Sequence, residues 1–210
     1  MAKPNILQTG KSYTFRSYFE MIYEPEDILA EFGVSLRRDT LTLPKADLES
    51  NAIPIANLKQ NLRRRLPFVS LTSEAARREI LIAPVVLELI DYTQAQLRIE
   101  YSINVSEQLK GSLDYYLRSE NRLLIIEAKN ADLARGLTQL AVELIALDRW
   151  IDEGENPLYG AVSTGDIWQF SRFDRRQKQI EQDLNLYRVP ADLEDLFSIL
   201  IGILLKSELY

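Results

Sequence analysis

Gly111-Ser-Leu-Asp114 and Leu123-Leu-Ile-Ile-Glu127-Ala-Lys129 decide the fold of this chain. Residues 123–126 are a short apolar run, the pattern of a strand buried on both faces. Side chains alternate along a strand, so Glu127 and Lys129 point one way and Ala128 points the other, into the core. Two charges at the end of a buried strand are costly unless they are paired or hold a metal. Asp114 falls on a second predicted strand, residues 111–117, with the polar turn 118–121 between the two. An acid facing an acid-X-lysine triplet on the next strand can hold a divalent ion and activate a water.

Working outward, Thr72 or Ser73 can cap a helix that reaches Thr93, with Glu74 in its first turn and a kink at Pro84. Residues 96–106 read as the strand before the Asp114 strand. Residues 131–150 read as a helix, with Leu133, Leu137, Leu140, Leu144, Ile145 and Leu147 at helical spacing. A buried strand at 158–163, a turn, strands at 167–173 and 181–187 and a closing helix at 191–206 follow. The apolar C-terminal stretch 196–205 is too short to span a bilayer and reads as a core helix or a dimer-forming one. Upstream, a short helix at 24–33 has Pro25 in its first turn and Gly33 past its end. A strand or hairpin at 34–43 and a polar helix at 57–65 come next. The expected fold class is α/β (α+β), a mixed central β-sheet flanked by helices. Residues 1–70 form an N-terminal elaboration or small subdomain and 71–210 the core, together one unit.

Composition narrows the chemistry. The chain has 210 residues, 46% apolar and 27% charged, as a globular protein does. It contains no cysteine and no histidine. That excludes disulfides, thiolate and imidazole metal sites, Ser-His-Asp triads and histidine general bases. Any metal must therefore be held by oxygens, which favours magnesium, manganese or calcium. No apolar run approaches a membrane span and the N-terminus lacks the apolar core of a signal peptide, so the expectation is a cytoplasmic protein with no membrane partner. The net charge of −6 argues mildly against nucleic acid as a partner. The clusters Arg37-Arg38, Arg63-Arg64-Arg65, Arg77-Arg78 and Arg175-Arg176 with Lys178 are either solvated faces or contacts to a phosphate backbone.

The element order helix, three strands, helix, strand, carrying a helix acid, Asp114, Glu127-Ala-Lys129 and Gln139 in turn, resembles the PD-(D/E)XK nuclease-like superfamily. The resemblance spans residues 73–164. The run Ser73-Glu-Ala-Ala-Arg-Arg-Glu79 is similar to the first-helix segment of its restriction-subunit and cyanobacterial nuclease-like members. It implies a restriction-endonuclease-like core and a metal-dependent endonuclease acting on nucleic acid, DNA first. Asp114, Glu127 and the backbone carbonyl of Ala128 would bind Mg2+ or Mn2+. Lys129 would polarise the attacking water or stabilise charge on the phosphate, and Gln139 would bond phosphate or water. The helix acid is Glu79, with Glu74 and Glu88 as alternatives. A second reading keeps the fold without catalysis, as a module binding nucleic acid or a partner protein. A third takes the triplet as coincidental, with Lys129 in a plain ion pair to Asp114 or Glu127.

Overall fold

The computed structural model describes residues 6–48, 52–120, 122–151 and 157–205. Asn121, at the predicted turn, and Lys206, at the predicted end of the last helix, lie outside the described residues, as do residues 1–5 of the N-terminus. The elements are α1 (Phe15–Glu20), α2 (Pro25–Ala30), β1 (Ser35–Asp39), α3 (Ala52–Arg65), α4 (Glu74–Arg77), α5 (Ala83–Thr93), β2 (Gln96–Ser106), β3 (Leu109–Ser119), β4 (Arg122–Ala128), α6 (Leu133–Trp150), β5 (Leu158–Ser163), β6 (Ile167–Asp174), β7 (Gln179–Asp183), β8 (Tyr187–Arg188) and α7 (Leu193–Leu204).

One open, mixed sheet of eight strands runs β1-β7-β6-β5-β4-β3-β2, with β8 paired to β6. β4 and β5 are parallel, joined by α6 as a crossover helix, and β1 lies parallel to β7. The other pairs are antiparallel. Helices cover both faces, so β4 sees no water on either side. Leu124, Ile126 and Ala128 pack into the core under α3, α5 and α7. Leu123 and Ile125 pack into the second core, under α1, α2 and α6. This is the alternation read from the sequence, and it sends Glu127 and Lys129 to the α6 side.

The helix expected from Ser73 to Thr93 forms in three pieces. Ser73 caps it, accepting the N–H of Ala76 at 3.1 Å. Pro84 offers no N–H to the carbonyl one turn back, and its ring crowds that carbonyl. The chain opens into one wide turn over Arg78–Ile82, where the N–H of Ala83 reaches back to the carbonyl of Arg78. The strand expected at 181–187 is instead two strands with a bend between them. Buried Asp183 makes that bend, its carboxylate accepting the N–H of Asn185 and that of Leu41, both at 3.1 Å.

Of the N-terminal seventy residues, the described ones, 6–48 and 52–70, contribute to both cores and to the sheet. β1 extends the main sheet as an edge strand and is a single strand, not a hairpin. α2 begins at Pro25 and is followed by Gly33 at φ +71°, as the sequence implies. α7 lies inside the chain's own core, with Leu196, Phe197 and Leu200 fully buried. Of its two readings, the core helix is the one the structure adopts. Among the described residues no helix is long and apolar enough to cross a membrane.

Candidate functional site

The site forms where β3 and β4 part. Their backbone pairing runs from Ser119–Arg122 to Tyr115–Ile126. The next rung is made by a side chain: Asp114 Oδ2 accepts the N–H of Ala128 at 2.8 Å. On its other side β4 stays paired, and the N–H of Lys129 donates to the carbonyl of Ser163 at 2.8 Å. The carboxylate of Asp114 is thereby brought to the head of the strand that carries Glu127.

α6 closes this corner. Asp132 caps it by accepting the N–H of Arg135 at 3.1 Å. Gly136 lets the helix lie close, because a Cβ there would stand 2.7 Å from Val162 and 3.1 Å from the Lys129 stem. One turn further on, Gln139 and then Glu143 face β4. The Gln139 Nε2 amide donates to Glu127 Oε1 at 2.5 Å and to Glu143 Oε1 at 2.8 Å. Lys129 Nζ donates to the same Glu127 oxygen at 2.5 Å. Glu127 is 2% exposed and Glu143 is 0% exposed. Glu127 Oε2, Gln139 Oε1 and Glu143 Oε2 are buried without a hydrogen-bond partner among the described residues.

Burial dominates the electrostatics. It pushes Glu127 up to about 7, with Asp114 adding to the rise and Lys129 opposing it. Burial likewise raises Glu143 well above the ordinary carboxylate range, with Glu127 adding to it. Burial alone would lower the Lys129 ammonium, but Glu127 and Asp114 outweigh it and hold the pKa above the usual lysine value. Arg78 stands 3.7 Å from Asp114 Oδ1 and 3.6 Å from Glu100, over the ring of Tyr115 at 5.5 Å. Glu100 takes φ +52°, a left-handed conformation that costs energy in a residue with a Cβ.

These residues open onto a cleft of about 800 Å³. Asp114, Glu127, Lys129 and Gln139 line it together, as the sequence implies. Ala128 lies beneath, its side chain in the opposite core. Glu79 does not line the cleft; it is exposed on the wide turn. Glu88 does not line it either, and burial beside Asp91 raises its pKa. Of the three candidate helix acids, Glu74 is the one that reaches the cleft.

Sequence reasoning missed two parts of this site. One is the wall built by α1, which supplies Phe15, Arg16 and Phe19. Gly111, at φ +146°, admits it: a Cβ there would meet the Phe15 ring at 2.8 Å. The Phe19 ring lies 5.1 Å from Lys129 Nζ, within cation–π range. The other is Glu143, whose signal was present as an acid inside the apolar stripe of its helix. The arginine clusters serve mostly as structural ties. Arg37 pairs with Glu181, Arg38 with Glu26, Arg77 with Asp166 and Arg175 with Asp148. The cations on the cleft are Lys129, Arg16 and Arg135.

The donor set bears on a metal. No group of three or more acidic side chains among the described residues is arranged to hold an ion. Asp114 and Glu127 provide two carboxylates, and Glu127 keeps one buried oxygen unpartnered. Magnesium takes one or two protein carboxylates and fills its shell with water and substrate phosphate, so this set fits it. No family model, curated protein or solved structure matches this chain.

Proposed function

We propose that this chain is a metal-dependent nuclease of PD-(D/E)XK type, hydrolysing phosphodiester bonds of nucleic acid, DNA first, in the cleft between β3, β4, α1 and α6. The observation that carries the reading is the convergence of Asp114, Glu127, Lys129 and Gln139 on one open cleft. Asp114, Glu127 and the Ala128 carbonyl are the groups that would hold Mg2+ or Mn2+. When bound, the ion supplies an acidified water and neutralises charge on the scissile phosphate. Lys129 stays cationic at neutral pH, because its pKa is held above the ordinary lysine value. Its role is then to donate to a phosphate oxygen and stabilise charge there, rather than to take a proton. Glu127 holds it from one side and the Phe19 ring from another. Arg16 and Arg135 line the same cleft, and their charge suits flanking phosphates.

The second reading, a binding module without catalysis, draws on a different observation. Arg78 and Lys129 already offset Asp114 and Glu127 within the chain, and the formal charge is −6. Single-stranded DNA, duplex DNA and RNA, each incubated with Mg2+, Mn2+ or a chelator, separate the two. Metal-dependent cutting that Asp114→Ala abolishes is expected. Binding without cutting selects the second reading, and neither binding nor cutting rejects the nuclease and the nucleic-acid-binding module alike.

A further inference from the structure

The unexplained feature of the site is Glu143, a fully buried acid that does not line the cleft. It sits one helical turn after Gln139 and meets the amide of that residue. An amide has two faces to offer, a donor NH2 and an acceptor carbonyl. With Glu127 Oε1 and Glu143 Oε1 on the same side, the NH2 must turn towards both. The reverse orientation would press a carbonyl oxygen against Glu127 Oε1, which already accepts from Lys129 and carries no hydrogen to bridge the contact. The consequence is that Gln139 Oε1 is left as a buried acceptor without a partner among the described residues.

We propose that Glu143 is the positioning residue of this site, fixing the Gln139 amide with its NH2 on the Glu127 and Glu143 carboxyl groups. The held amide in turn fixes Glu127 Oε1, the oxygen that also accepts from Lys129. One acceptor oxygen at position 143 suffices, so glutamine there preserves the arrangement and an apolar side chain of similar size does not. The effect on metal affinity rests on the proposed function, whereas the amide geometry stands without it.

Side-chain amide NMR on the full chain tests the geometry directly, with the Gln139 signal assigned by its loss in Gln139→Leu. In wild type and in Glu143→Gln the Gln139 NH2 protons should be protected from solvent exchange. In Glu143→Leu the dispersed spectrum of a folded chain should remain, while exchange at Gln139 rises at least about tenfold. Glu143→Met serves as the apolar variant if leucine does not fold. Manganese calorimetry on the same proteins gives the second readout. Affinity should stay within about twofold in Glu143→Gln and fall about 10- to 100-fold in the apolar variant. Equal protection in wild type and in the folded apolar variant overturns the proposal. So does an equal loss of protection in Glu143→Gln and the apolar variant, since that marks a role tied to charge or packing. A wild type that shows the protection but binds no manganese leaves the amide geometry standing and removes the metal site.

Discussion

Raising the pH from about 5 to about 8 should destabilise this protein, with Glu127 at the centre of the loss. The chain has no histidine and no cysteine, so the side chains that titrate in this window are carboxylates held above their ordinary values. A glutamate ordinarily titrates at 4.5, and Glu127 does so at about 7. The folded chain then holds a proton that the unfolded chain has already released. Stability therefore falls as pH rises through the interval between the two values. At about 1.4 kcal/mol per pH unit that interval is worth about 3 kcal/mol. Glu143 is raised as well and adds a loss of the same sign. Asp192, held at about 2 by Arg188, works oppositely, but its contribution is lost only at acid pH and is constant here. The assay is urea unfolding followed by the fluorescence of buried Trp168. With a urea slope of about 1–3 kcal/mol/M, the midpoint should drop by about 1–3 M across the window. Glu127→Gln should remove a large part of that drop. A midpoint that stays level or climbs between these pH values refutes the reasoning.

Other expectations concern single residues. Gly136→Ala places a Cβ against Val162 and the Lys129 stem; it should cost about 1–3 kcal/mol in thermal unfolding, because well-packed contacts yield only with strain. Lys129→Met should lower cleavage by about 10²- to 10³-fold in single-turnover assays, the range for removing one donor to developing charge. Asp183→Ala strips the acceptor from the N–H groups of Leu41 and Asn185; a loss of about 1–3 kcal/mol in urea unfolding is expected, because the Leu41 donor is left buried and unpaired. Because Glu127 must lose its proton to bind a cation, manganese should raise the urea midpoint more at about pH 8 than at about pH 6.

The centre of this fold was legible because its signals are local. The apolar run of β4, the alternation that separates Glu127 and Lys129 from Ala128, and the spacing of α6 are all written within a few residues. What stayed hidden depends on partners distant in sequence. β1 joins the sheet through β7, pairing Ser35 with Gln179, and no local pattern marks that. The α1 wall exists because Gly111 leaves room for Phe15, a match between two segments that each look ordinary alone. The choice among Glu74, Glu79 and Glu88 turned on the wide turn before Pro84, which changes the helical phase between Glu74 and the residues after it. Glu143 was passed over because an acid on a helix is ordinarily solvated; only the covered face of α6 reveals that it is buried.

The central claim is that Asp114 and Glu127 together hold a divalent ion beside Lys129. Calorimetric titration of manganese into wild type and Asp114→Ala tests it most directly. Saturable binding to wild type that is lost in Asp114→Ala is the expected result. Binding that survives unchanged in Asp114→Ala, or a wild type that takes up no manganese with or without a nucleic-acid phosphate present, would contradict it.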